Sequence, residues 1–119
     1  MPKVKQEESA VVVTKTYDFA LWLFPKVETF RRSHRFTIGD RLADTSLDLL
    51  MALVQAAYSQ DKDELLHEAS LKANSLRYLL RLSKDLRLIN IDSYEHSAER
   101  LEEIGRMIGG WQRSLRRRV

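Results

Sequence analysis

The sequence predicts an all-α protein, an antiparallel up-down-up-down four-helix bundle, and three observations carry that prediction. Apolar residues recur at about 3.6-residue spacing in four successive segments. Only 4 glycines and 2 prolines interrupt 119 residues. The polar connectors are short, which makes consecutive helices antiparallel neighbours. No strand pattern competes beyond the short apolar run at residues 10–13. At 13.9 kDa, with 44% hydrophobic and 31% charged residues, the chain suits one domain. Residues 1–14 read as a polar N-terminal arm, expected to be flexible, 15–115 as the bundle, and 116–119 as a basic C-terminal tail.

The first helix is expected over residues 16–31. Tyr17, Ala20, Leu21, Phe24 and Val27 share one face, Phe19, Leu23 and Phe30 widen it, and Trp22 lies beyond. This is more apolar surface than one stripe requires, so the helix is either deeply buried or carries a second face for another subunit. Pro25 removes one helix hydrogen bond and predicts a kink or a restart. The connector RRSHRF then places Arg31, Arg32 and Arg35 within five residues, a compact basic corner.

The second helix is expected over residues 37–59, opened by Thr37 and Asp40 as a Thr-x-x-Asp capping pair. Leu42, Leu49, Leu53 and Ala56 form one stripe, and Ala43, Leu47, Leu50, Val54 and Ala57 the adjoining one. The third is expected over residues 61–85, with Asp61 and Glu64 as its capping pair. Leu65, Ala69, Leu76, Leu79 and Leu86 lie on one side, while Arg77, Arg81, Lys84 and Arg87 form a basic stripe opposite. That stripe is either the solvent face of an amphipathic helix or a surface for phosphates.

The fourth helix follows the turn NID, with Asp92 and Glu95 as an Asp-x-x-Glu cap and Ala98, Leu101, Ile104 and Ile108 as its apolar side, extended by Met107 and Trp111. Three glycines interrupt it, although each costs a helix about 1 kcal/mol relative to alanine. Gly105 and Gly109 are four apart and share a face that a partner backbone could approach. Gly110 is expected to loosen or end the helix before the arginines.

Charge is uneven along the chain. Residues 1–60 hold 8 Lys/Arg and 7 Asp/Glu, residues 61–112 hold 8 and 10, and residues 113–119 hold 4 and none, balances of +1, −2 and +4, so the tail supplies the excess. Arg113, Arg116, Arg117 and Arg118 are either a solvated terminus or phosphate contacts.

Catalytic chemistry finds no support. His67 and Glu68 begin an HExxH motif, but Leu71 stands where its second histidine belongs. His34, His67 and His96 share no helical spacing, and without cysteine neither thiolate metal sites nor thiol nucleophiles are available. Glu102 and Glu103 are adjacent and diverge by about 100° on a helix, unsuited to one acid/base pair. No phosphate-binding glycine loop or GxSxG nucleophile motif occurs. A non-enzyme without cofactor or metal is expected. Apolar runs too short for a membrane span, and an N-terminus without a signal-peptide pattern, predict a cytoplasmic protein.

Three stretches, FALWLFPKVETFRRSHRFTIGDRL, SLRYLLRLSKDLRLI and YEHSAERLEEIGRMIGGWQRSL, resemble the accessory variability determinant protein of bacterial and phage diversity-generating retroelements. The likeness covers about residues 17–115 and is most specific in RFTIGDRL, LRYLLRLSKDL and RMIGGW. The resemblance implies four-helix protomers in a ring-like homopentamer with a basic surface, which assist the element's reverse transcriptase and are not polymerases. By that analogy the partners are the reverse transcriptase and the template-repeat RNA. The residues available for nucleic acid are Arg31, Arg32, Arg35, Arg77, Arg81, Lys84, Arg87, Arg113, Arg116, Arg117 and Arg118. Those available for protomer contacts are Trp22, Gly105, Gly109 and Trp111. Four-helix-bundle proteins of the ribosomal-RNA intervening-sequence type are similar as well, and a protein-only oligomeric adaptor is the third reading.

Overall fold

The computed structural model describes residues 2–117, with side chains from residue 9 onward. Four long helices, α1 (Pro2–Glu28), α2 (Asp40–Tyr58), α3 (Lys62–Asp85) and α4 (Ile91–Arg116), make up nearly all of it. A single α-turn (Arg32–His34) and a π-helical turn (Arg35–Gly39) join α1 to α2. Each helix packs along the next, and α4 closes the ring of contacts against α1, in a body of 48 × 23 × 19 Å. Cross-helix pairs show the antiparallel sense. Lys15 meets Glu103 at 2.8 Å, and farther along α1 the Trp22 ring meets His96 at 5.0 Å. No strand occurs among the described residues, and no helix there is long and apolar enough to cross a membrane.

The core is a leucine seam. Leu42, Leu49, Leu53, Leu66, Leu76 and Leu101 are fully buried, with Phe19, Leu23, Ile104, Ile108 and Trp111 around them. Four hydroxyl groups sit in this interior, and each donates to a carbonyl one turn back on its own helix: Thr16 to Val12, Ser46 to Ala43, Ser83 to Leu79 and Ser97 to Tyr94, at 2.7–2.8 Å. Among the described residues no buried side-chain polar atom is left unpartnered, which avoids the penalty of about 1–3 kcal/mol for each such group.

Several element boundaries differ from expectation. The first helix begins at Pro2 and takes in most of the segment read as an arm. The run at residues 10–13 is helical, and Val12 is 1% exposed within the core. Its β-branched residues lower intrinsic helix propensity by a few tenths of a kcal/mol each, roughly, and burial of Val12 overrides that. Pro25 lies inside α1, which neither stops nor restarts there. Beyond it the chain tightens, with Thr29 N–H donating to the Lys26 carbonyl at 3.1 Å and Phe30 N–H to that of Val27 at 3.0 Å.

The expected caps of α2 and α4 also move, and that of α3 keeps its place without its bond. Thr37 does not cap; its hydroxyl donates to the His34 carbonyl at 3.2 Å. The π-helical turn supplies the missing partner instead, since the Asp40 N–H donates to the Arg35 carbonyl. Asp61 occupies the N-cap position of α3 without a side-chain capping bond. The cap of α4 is Asn90, whose Oδ1 accepts from Ser93 N–H at 2.8 Å, so Asp92 falls in the first turn. Gly110 does not end α4, which continues to Arg116.

The apolar face of α1 is rotated from its expected position. Phe19, Ala20, Leu23, Val27 and Phe30 are buried, while Tyr17, Leu21 and Phe24 point outward at 38–60% exposure. Leu47, Met51 and Tyr58 are likewise exposed on the adjoining α2.

Candidate nucleic-acid interface at one end of the bundle

In an up-down bundle the α1–α2 and α3–α4 connectors lie at the same end, and a side chain joins them. Arg31 Nη2 donates to the Leu86 carbonyl at 3.0 Å. Leu86 is the C-cap of α3, so Arg31 satisfies a helix-end acceptor and places a cation at the negative pole of the helix. The α3 terminus closes in a Schellman turn, with Leu88 N–H on the Ser83 carbonyl at 2.8 Å and Arg87 N–H on that of Lys84 at 2.9 Å. Arg87 therefore leaves the helical stripe and stands in the left-handed region at φ 61°.

This arrangement gathers Arg31, Arg32, Arg35, Lys84 and Arg87 at one end. Lys84 is already engaged, with Nζ 4.6 Å from the Tyr94 ring centroid and 3.5 Å from Asp85 Oδ1. Arg32 and Arg35 are exposed. Between the π-helical turn, the start of α2 and α3, an open groove of about 530 Å³ is lined by Phe36, Ile38, Leu79, Arg41, Asp40 and Asp44. A wider groove of about 910 Å³ follows the α3–α4 turn past Arg87, Asn90, Asp92 and Glu95. Carboxylates are thus interspersed with the cations.

The remaining predicted cations lie elsewhere. Arg77 reaches across to α4, where Nη2 donates to the Leu101 carbonyl at 3.3 Å and lies 2.9 Å from where a Cβ on Gly105 would stand. The glycine face of α4 thus admits a guanidinium of the same chain. Gly109 and Gly110 face Arg113 of their own helix, at 3.3 and 3.8 Å by the same measure. A groove of about 500 Å³ collects Arg77, Arg106, Arg113, Asn74 and Glu102 beside Gly105 and Gly109. Sequence reasoning missed Arg106 and Asn74 here, and the signal for them was the glycine pair marking where α3 and α4 leave room. Arg81 is exposed on α3; Arg116 and Arg117 are exposed at the far end, and Arg118 lies outside the described residues.

Of the expected protomer contacts, Trp22 is half-buried, 6.0 Å from Phe19, with Lys26 Nζ 5.7 Å from its ring centroid. Trp111 is placed differently: at 4% exposure it belongs to this chain's own core, with Lys62 Nζ 6.0 Å from the ring. Across the α1–α4 seam the Lys15 ammonium bonds to Glu103 and holds its carboxyl below the ordinary carboxylate range, assisted by Arg100 and Arg106. Among the described residues no three His, Asp or Glu side chains stand close enough to hold a metal ion.

A family model described as bAvd-like matches residues 10–115, nearly the whole bundle. The chain belongs to the bAvd-like family. This bAvd-like bundle also matches a crystal structure of a protein of unknown function from the S23 ribosomal protein family of Bacteroides thetaiotaomicron VPI-5482, with a TM-score of 0.82 and 19% identity. That match covers 89% of the bAvd-like chain and 98% of the other, and it shows the shared fold. No curated protein matches the sequence.

Proposed function

We propose that this bAvd-like chain is a non-catalytic accessory protein of a diversity-generating retroelement. In this reading it binds the element's reverse transcriptase and template-repeat RNA and supports mutagenic cDNA synthesis as a ring-like homopentamer. The family match over residues 10–115 is the observation that carries the reading. The exposed Arg32 and Arg35 beside Arg31 and Arg87 support an RNA-facing end. Repeated around a ring, that modest patch would become one multivalent surface for phosphates, gaining affinity without base-specific readout. The outward stripes Tyr17–Leu21–Phe24 and Leu47–Met51–Tyr58 supply apolar surface for protomer contacts, with Trp22 on the neighbouring flank of α1.

Fluorescence anisotropy of a labelled structured RNA, titrated with the protein at several salt concentrations, tests the nucleic-acid half. Affinity is expected to fall by about 0.7–0.9 log units per released counterion for each tenfold rise in salt. Absence of binding at low salt overturns the RNA-binding part and favours a protein-only adaptor. Native mass spectrometry tests the ring, and a monomeric mass overturns it. A second reading, a four-helix-bundle protein of the ribosomal-RNA intervening-sequence type, is favoured by the likeness to the S23-family structure. Capture of the purified element's reverse transcriptase by this protein separates the two.

A further inference from the structure

Phe36 is the most exposed phenylalanine of the described chain, at 66%, and it contributes nothing to the core. Its mounting is rigid. The π-helical turn that carries it is closed by the Asp40 N–H bond to the Arg35 carbonyl and by the Thr37 hydroxyl on the His34 carbonyl. Gly39, the last residue of that turn, is buried so tightly against α1 that a Cβ there would stand 3.0 Å from Val27 Cγ1. Single π-helical turns within helices are frequent at functional sites.

The surroundings define the kind of group that fits. Arg35 Cζ lies 5.9 Å from the Phe36 ring centroid, and Arg41 lines the same groove. Ile38 and Leu79 extend the apolar wall, and the carboxylates of Asp40 and Asp44 line the groove as well. A flat aromatic group satisfies the ring and the apolar wall, and amino groups on its edge satisfy the carboxylates. An anionic attachment outside satisfies Arg32 and Arg35, while Asp40 and Asp44 keep that anion out of the groove.

We infer that Phe36 is a stacking platform for an unpaired nucleobase, which enters the groove beside Asp40 and Asp44 while its phosphates lie on Arg32 and Arg35. A base inside a duplex already stacks on its neighbours and cannot present its face to the ring, so the site takes single-stranded nucleic acid. Aspartate accepts hydrogen bonds from base amino groups, as from cytosine N4, which accounts for carboxylates in a groove bordered by arginines. The inference rests on the nucleic-acid part of the proposed function and assigns it a place and a mode.

The test compares full-length wild-type protein with Phe36→Ala and Phe36→Trp, using a single-stranded RNA oligonucleotide and a blunt duplex of the same sequence. Phe36→Ala is expected to weaken single-strand binding about tenfold, Phe36→Trp to preserve it, and duplex affinity to stay unchanged. The salt slope and the melting temperature of Phe36→Ala should match wild type, because an exposed ring that touches no phosphate is removed. A 2-aminopurine in the single strand should lose fluorescence on binding wild type and keep it with Phe36→Ala. Equal single-strand affinity for wild type and Phe36→Ala overturns the stacking site while leaving the accessory role in place. Failure of wild type to bind either RNA overturns the stacking site together with the RNA-binding part of the proposed function. Loss of reverse-transcriptase capture by Phe36→Ala, with RNA binding intact, would make the ring a protein contact and overturn the base site.

Discussion

Arg87 stands where a helix end usually places glycine, in the left-handed region at φ 61°, and closes α3 with a hydrogen-bond pattern that glycine would adopt without strain. Arg87→Gly is therefore expected to stabilise the fold by about 1 kcal/mol in urea titration, through relief of that strain. A simultaneous fall in RNA affinity would identify the charge as the reason an arginine is kept there. The glycines of the chain answer to different neighbours. A Cβ at Gly110 would meet Arg113 at an ordinary 3.8 Å, so Gly110→Ala should raise stability by about 1 kcal/mol through helix propensity. At Gly39 the neighbour is Val27, a buried core side chain, and Gly39→Ala should lower the melting temperature, with overpacking of about 1–3 kcal/mol exceeding the propensity gain. The sequence marked Gly105 and Gly109 as a face of close approach, and Arg77 does approach Gly105. The occupant was not legible, because a four-residue spacing fixes a direction on α4 and says nothing of what α3 sends toward it. Trp111 was misplaced for a related reason: hydropathy cannot tell a chain's own core from a partner's surface.

Among the elements, α2 and α4 had the most legible core faces, since Leu42, Leu49, Leu53, Leu101, Ile104 and Ile108 keep a clean period and all are buried, whereas on α3 the core falls on Leu66, Ala73 and Leu80 beside the half-buried Leu65 and Leu79. Helix ends were harder to read. Ser, Thr, Asp and Asn occur near every connector, and only the backbone geometry decides which of them caps. At α4 the choice falls on Asn90, so Asn90→Ala should cost about 1 kcal/mol in thermal or urea unfolding, whereas Asp92→Ala should lose only a weaker helix-dipole interaction. Cations close the opposite ends: Arg31 on Leu86, and Lys62, whose Nζ donates to the Ala56 carbonyl at 2.6 Å near the end of α2. The start of α1 was missed because its β-branched run imitates a strand until Val12 finds the core. Where α1 meets α4, the lowered Glu103 pKa gives a pH signature. A carboxylate held lower in the folded than in the unfolded state adds stability above its ordinary range, and that contribution fades as pH falls through the folded value. Wild type should therefore melt above Glu103→Gln at neutral pH and converge with it in acid.

For the whole molecule, the basic residues that the sequence placed in a corner, a helical stripe and a tail regroup: Lys84 and Arg87 join the corner at one end, Arg77 and Arg113 share a mid-bundle groove, Arg81 stays exposed on α3, and Arg116 and Arg117 lie at the far terminus. At the end formed by the α1–α2 and α3–α4 connectors, exposed Arg35 stands beside the exposed Phe36 ring. Arg32→Glu with Arg35→Glu should weaken RNA binding and reduce the salt slope by about 0.7 for each phosphate no longer neutralised, with helicity and melting temperature unchanged. Reversal at Arg77 would mix two effects, since its guanidinium also serves the Leu101 carbonyl. The outward stripes on α1 and α2 bear on a different quantity. Leu21 at 60% and Tyr58 at 89% exposure remain in contact with water in the folded monomer, so any association that covers them adds free energy that scales with the logarithm of protein concentration. If copies of the chain associate in this way, its melting temperature has no single value. It climbs as the solution becomes more crowded with copies and falls toward that of the lone bundle on dilution.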